Sequence, residues 1–301
     1  MNKLNSLNLK TYYFECAIIL MNVMVRGSLL YACDMYYDLK ETELRQIERI
    51  EEGYLRQVLK TSKSCPITEL YLSVGQHPAR FEIQKMRLLY LKYILLQDEE
   101  SLISKFLQLQ LEQPTKGDWA STCLYDLKEL QMNLTLEDIK LISEQKFRNM
   151  LKLKVKESAF RYLKEKQGSK GKENIYEDLS MAEYLLPSNN NLTIVEKQNL
   201  FSVKNRMVWI PANFPKPKTE YKCICGQKED MTHIYNCKIL NNGLETKLDY
   251  QKIYTGTITK QIEIFRQFQK NMEIRETLLN EHTSPCDPSV IHCIPQSIVM
   301  D

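Results

Sequence analysis

Apolar residues recur along most of this chain at intervals of three and four, the period of helices that bury one face. The first such stretch, Phe14 to about Gly27, is polar only at Glu15, Asn22 and the closing Arg26, and predicts a buried helix. From Glu41 to Lys60, residues Leu44, Ile47, Ile50, Tyr54, Leu55 and Val58 define an inward face, with Arg45, Glu48, Arg49 and Glu52 expected outward. Pro66 opens a short helix through Leu72 that Gly75 ends, since proline suits a first helical turn and glycine the position after the last. The long helix after Pro78 is apolar all round in its second half, Leu88 to Leu91 and Tyr93 to Leu96, and is expected at the centre of the first core. Trp119 opens another helix after a Thr115–Asp118 loop, and Thr135 with Asp138 makes a capping box. The helix that follows aligns Phe147, Leu151, Val155, Ala159, Tyr162 and Leu163. Two more helices are predicted at Tyr176 to Leu186 and Thr193 to Arg206, divided by Pro187 and an asparagine run. Pro211, Pro215 and Pro217 forbid regular structure ahead of a cysteine cluster. Beyond it, Ile258, Ile262, Phe265, Phe268 and Met272 mark a last amphipathic helix, followed by a Pro-broken tail after Glu281 that is expected to be mobile.

Composition supports the helical reading: nine Gly and ten Pro in 301 residues are too few for the many tight turns of an all-β fold. The net charge of +3 hides a lopsided distribution. Eleven Lys/Arg against three Glu give +8 between Lys140 and Lys172, so the rest of the chain carries −5. A local positive field of that size suits a polyanion. The stretch from Phe14 to Val25 is too short to cross a bilayer, and Glu15 spoils a secretory reading, so no membrane association is expected. Nine cysteines is an odd number in a chain too large to need disulfide staples, which implies a reducing, intracellular setting, nuclear or cytoplasmic.

Three of those cysteines crowd with a histidine into fifteen residues: Cys223-Ile224-Cys225-Gly226, then His233 and, four positions on, Cys237. Zinc takes four such ligands in a tetrahedron. Gly226 permits the sharp turn that brings two cysteines one residue apart onto one metal, and His233 and Cys237 share a face of a helical turn. With four protein ligands and no open position the metal would be structural. The alternative is that the cysteines are simply buried as small apolar residues. A second cluster, His282, Cys286, His292 and Cys293, lies in the tail and is read as part of it.

Arg148, Lys152 and Lys156 recur every four residues, and Lys154 and Arg161 are seven apart, so cations flank the apolar seam of their helix. Such rows can follow a phosphate backbone, each contact releasing a counterion; a solvated helix face is the plainer account. Tyr162, Trp209 and Tyr221 are candidates for base stacking, though aromatics at such spacing are more often core. Gly168-Ser169-Lys170-Gly171 matches a GXXG loop, but without strands around it reads as a linker. No two aspartates are adjacent, and there is no GxxxxGK[ST] or GxSxG motif. Asp98-Glu99-Glu100 sits in a polar connection, and His77 has no Cys or Ser partner. No enzymatic activity is expected.

Several segments together resemble one family. Tyr13-Phe14-Glu15-Cys16-Ala17 and Leu29-Leu30-Tyr31-Ala32-Cys33-Asp34-Met35-Tyr36 are similar to the segment just past the palm of non-LTR (LINE-type) retrotransposon reverse transcriptases, where Leu-Leu-Tyr-Gly-x-Glu-x-Trp is common. The likeness continues in order through Leu55-Arg56-Gln57-Val58-Leu59, Gly117-Asp118-Trp119, Ala159-Phe160 with Leu163, Tyr184-Leu185, Phe201 to Met207 and Asn213-Phe214. It ends on the Cys-x-Cys…His-x-x-x-Cys cluster that these polymerases carry near their carboxyl end. Ala32 and Tyr36 depart from the pattern, and the catalytic fingers and palm have no counterpart here. Pattern and resemblance together give a mainly α chain: a multi-helical domain over 1–167, thumb-like by the resemblance, a linker with two helices over 168–220, a zinc knuckle over 221–240, and a helix and tail over 241–301. It implies a fragment that grips template RNA and target DNA in target-primed reverse transcription, with a palm-containing chain as a possible partner. No nuclease carboxylates follow the cluster. Two rivals stand beside it: a helical protein-interaction scaffold with a structural zinc, and an inactive retroelement remnant.

Overall fold

The computed structural model describes residues 12–168, 176–188, 192–208, 222–243 and 249–282. Among them the chain is mainly helical, with no strand beyond two isolated antiparallel bridges, Val74 with Met181 and Lys222 with Lys228. It divides into two compact units, Met1–Phe201 and Ser202–Asp301. The Gly168–Lys172 linker beyond Gly168, the three prolines, Trp209, Tyr221 and the tail cluster beyond His282 lie outside the described residues.

In the first unit, α1 (Tyr13–Leu20) continues through a π-helical stretch, Met21–Arg26, and a last turn, Gly27–Leu29. It is followed by α2 (Glu41–Val58), α3 (Ile67–Val74), α4 (Ala79–Leu95), α5 (Leu102–Glu112), α6 (Trp119–Glu129), α7 (Leu136–Leu141), α8 (Glu144–Gly168) and α9 (Ile194–Lys204), whose last three residues fall in the second unit. The expected ends at Gly75 and Thr135 are present, and Asp118 adds a cap that the sequence reading did not name. Gly75 ends α3 in the left-handed conformation, Asp118 caps α6, and Thr135 and Asp138 form the reciprocal box at α7. Helix α4 is central, touching α2, α5, α6, α7 and α8. It buries Leu88, Leu91 and Ile94 but leaves Tyr93 and Leu96 half exposed, so it is not surrounded by core. Lys92 on α4 is buried because its ammonium donates to the carbonyls of Ile139 (2.6 Å) and Ile142 (2.5 Å). Those carbonyls end α7, where unpaired acceptors and the helix dipole both favour a cation. Phe147, Leu151, Val155, Ala159 and Leu163 form the buried seam of α8, as their spacing predicts.

Three expectations need correction. Helix α1 and its π continuation are not buried all round: Ile19, Val23 and Met24 are exposed while Phe14, Ala17, Ile18 and Met21 are covered. On α2, Glu48, Glu51 and Glu52 point inward and Ile50 is exposed. Glu51 accepts from Arg26 Nε at 2.6 Å, Tyr71 at 3.0 Å and the Ala79 amide at 3.0 Å. Glu48 takes Arg80 Nε at 2.6 Å and Arg45 at 2.9 Å, and Glu52 lies 3.5 Å from Arg45 and 3.8 Å from Arg56. A carboxylate leaves water only when paired and hydrogen-bonded, and two of these arginines come from outside the helix. Finally, 176–188 is no helix but a strap over the end of α3, with one 3-10 turn, Glu183–Leu185. The Ala182 amide donates to Ser73 O at 2.8 Å, and the Tyr176 and Ser73 hydroxyls meet at 2.5 Å. Its buried residues Tyr176, Leu179, Tyr184 and Leu185 follow no helical period, and that irregular pattern fits a strap.

The second unit contains α10 (Met231–Asn236), α11 (Lys252–Thr255) and α12 (Ile258–His282). Ile262, Ile264, Phe265 and Phe268 form the inward face of α12, and Tyr250 packs between Tyr235, Tyr254 and Phe268.

Candidate metal centre

The cysteine cluster folds as its spacing requires. Gly226 takes φ +84°, a conformation costly for residues with a Cβ, and its amide donates to Cys223 O at 2.7 Å. The Cys223 amide donates in turn to Gln227 O at 2.8 Å, closing a tight hairpin around both thiols. Asp230 caps α10, its carboxylate accepting from the His233 amide at 2.7 Å. His233 therefore sits in the first turn, and Cys237 is the first residue past the helix.

The ligand atoms of Cys223, Cys225, His233 and Cys237 all lie within 4.8 Å of one another, a group that could hold a metal ion. Cys223 Sγ and Cys237 Sγ are 3.7 Å apart. Two sulfurs each about 2.3 Å from a tetrahedral metal would be about 3.8 Å apart. Cys225 Sγ lies 3.2 Å from His233 Nε2, a little under the roughly 3.6 Å of the same geometry. Cys223 and Cys237 are buried, while Cys225 and His233 are half-buried. Burial pushes the Cys223 thiol up to about 12, and the neighbouring Cys237 thiol adds to the rise. A bound cation removes that penalty, because a coordinating thiol is deprotonated outright. The donor set of three sulfurs and one imidazole is soft to borderline and complete at four.

Sequence reasoning missed the groups behind this cluster. Asn271 of α12 is fully buried and donates to Ile234 O at 2.9 Å and Tyr235 O at 3.1 Å. Asn241 donates to Tyr235 O and Cys237 O, both at 2.9 Å. Gln267 donates to the side-chain oxygens of Asn241 and Asn271, each at 2.9 Å. Arg275 of α12 pairs with the buried Glu229. The available signal was an asparagine on the apolar face of α12, three positions after Phe268.

The five cations singled out on α8 are spread over both flanks of its buried seam. Arg148 bonds to Glu144 at 2.6 Å, Lys154 to Glu157 at 2.9 Å, and Lys156 lies 3.7 Å from Asp178. Lys152 and Arg161 are exposed, Arg161 donating to Ser158 at 3.2 Å, and neither pairs with an acid among the described residues. Tyr162 is used internally: its ring meets Phe81 edge-on and carries the Arg80 guanidinium at 5.0 Å. His77 pairs with Glu82 at 2.9 Å.

The segments around Asp34 and Trp119 meet in space. Trp119 Nε1 donates to Asp34 O at 2.8 Å, and Gly117 (φ +82°) faces the Asp38 carboxylate. Ala32 takes φ +55°. Among the described residues no helix is long and apolar enough to cross a membrane. No family model, curated protein or solved structure matches the chain.

Proposed function

We propose that Cys223, Cys225, His233 and Cys237 hold one structural zinc ion, and that the chain is the nucleic-acid-binding, post-palm part of a LINE-type reverse transcriptase, without polymerase chemistry of its own. The convergence of four ligand atoms within 4.8 Å carries the metal assignment. Three sulfurs and an imidazole in a closed tetrahedron favour zinc and leave no position for a reacting water. When bound, the ion would cross-link the hairpin to α10, holding a segment too short to fold unaided.

The nucleic-acid part rests on the basic helix and on the resemblance. The left-handed Ala32 supports the latter, because the pattern has glycine where the backbone needs that conformation. The contact of Trp119 with Asp34 supports it too, since it gives two collinear motifs one structural purpose. RNA and DNA are the partners this reading names. A second reading, a protein-interaction scaffold, is favoured by the acids that Arg148, Lys154 and Lys156 already meet within the chain. Gel-shift titration with structured RNA and duplex DNA at 50 and 200 mM salt separates the two. Three or four phosphate contacts would weaken duplex binding by about 40- to 150-fold over that range. Absence of binding at 50 mM salt would move the scaffold reading ahead.

A further inference from the structure

The two ligands His233 and Cys237 flank the last turn of α10, a helix of six residues. Isolated helices of that length do not persist, and their last carbonyls have no partner within the helix. Here the carbonyls of Ile234, Tyr235 and Cys237 are taken by side-chain amides from outside α10. Asn271 is wholly buried on α12, amid Ile264, Phe265 and Phe268, a position where an apolar side chain would cost nothing in desolvation. Its oxygen and that of Asn241 are both held by Gln267, so the two donating amides are oriented from behind. A buried polar network satisfied in this way fixes one geometry where apolar packing would tolerate several.

We propose that the amide cluster of Asn241, Gln267 and Asn271 positions the metal ligands, with α12 setting the spacing of His233 and Cys237 through the carbonyls between them. The proposal rests on the four ligands holding a metal. Asn241, Gln267 and Asn271 hydrogen-bond to no ligand sulfur or imidazole and act through the backbone carbonyls of Ile234, Tyr235 and Cys237, so they are positioning residues. Metal affinity then depends on Asn271, more than thirty residues beyond the last ligand in sequence, and the metal and α12 order one another.

Cobalt(II) and zinc binding to the full chain test this, with cobalt read by its visible absorption and zinc by competition with a chromophoric chelator. Asn271→Asp is nearly isosteric and keeps the oxygen that Gln267 holds, but turns a carboxylate oxygen toward the Ile234 and Tyr235 carbonyls. It is expected to weaken zinc binding by about 10- to 100-fold and to alter the cobalt bands. Gln267→Leu, on a half-buried position, is expected to do the same to a smaller degree. Wild-type affinity and an unchanged cobalt spectrum in both variants would overturn the proposal, as would a loss of thermal stability equal with and without metal. Should Asn271→Asp fail to fold, Gln267→Leu and hydrogen exchange of the wild type still decide. Chelation is expected to strip protection from the α12 amides near Ile264 to Asn271, and protection that survives chelation contradicts the coupling. A wild-type chain that binds neither metal refutes the zinc assignment itself, a different outcome from normal binding in the variants.

Discussion

At the scale of single residues, the first unit is held by buried charges whose partners lie far away in sequence. Arg87 Nε is 2.8 Å from Asp126 Oδ2, and Arg87 also donates to Tyr36 O at 2.6 Å. Burial pushes the Asp126 carboxyl from 3.8 up to about 6, although Arg87 pulls it back. A folded-state value above the unfolded one means that protonation favours the fold. The contribution of Asp126 is therefore full below pH 3.8 and is lost as pH rises through about 6. Removing the arginine would leave an uncompensated buried charge at neutral pH. Arg87→Met should cost about 3–5 kcal/mol in urea unfolding at pH 7, with the deficit shrinking toward pH 5 as Asp126 takes up a proton. A deficit that stays constant between those pH values contradicts this account. Glu51→Ala should be similarly costly, on the order of 3–5 kcal/mol, because it leaves Arg26 buried without its counter-charge. None of these pairs was legible beforehand. A glutamate in a helix reads as solvated, and only the fold brings Arg26 and Arg80 to α2. The cysteine cluster was legible because its ligands are local and their spacing alone constrains the geometry.

At the scale of elements, the helices whose apolar faces repeat regularly were readable, and their caps with them. The strap at 176–188 was not, because its burial is decided by the end of α3 rather than by any period of its own. Gly75 is the hinge of that contact: a Cβ there would lie 2.3 Å from the Met181 amide nitrogen, on a residue with φ +66°. Gly75→Ala should therefore cost at least about 1–3 kcal/mol and expose the strap to limited proteolysis. Wild-type stability and an unchanged cleavage pattern would show that the strap is not held this way. Helix α8 is where the proposed nucleic-acid contacts can be tested. Lys152 and Lys156 are exposed on one flank, Lys156 with only a long contact to Asp178. If they contact duplex phosphates, Lys152→Gln with Lys156→Gln should lower the slope of log affinity against log salt by about two units. Glutamine keeps the helix propensity of lysine, so circular dichroism should not change. An unchanged slope would make α8 a solvated face.

At the scale of the whole molecule, the sequence indicated a mainly helical chain with a Cys/His cluster, and the described residues are mainly helical with those four ligands gathered. Hairpin, α10 and α12 fall within the second unit, so the knuckle has a helical foundation that its own residues did not announce. Asn271 explains why: its three acceptors lie 30 to 37 residues back in sequence, and nothing in the local pattern of α12 names them. The polymerase expectation is tested by primer extension on an RNA template with magnesium, where the pure chain should stay at background and reproducible extension would refute it. The claim beneath the rest is that three cysteines and one histidine hold a structural zinc. Metal analysis of the purified chain tests it most directly. The account predicts about one equivalent of zinc per chain, lost in Cys237→Ser. Full zinc retention in the Cys223→Ser/Cys237→Ser double variant, or a wild-type chain purified and reconstituted without any zinc, would contradict it.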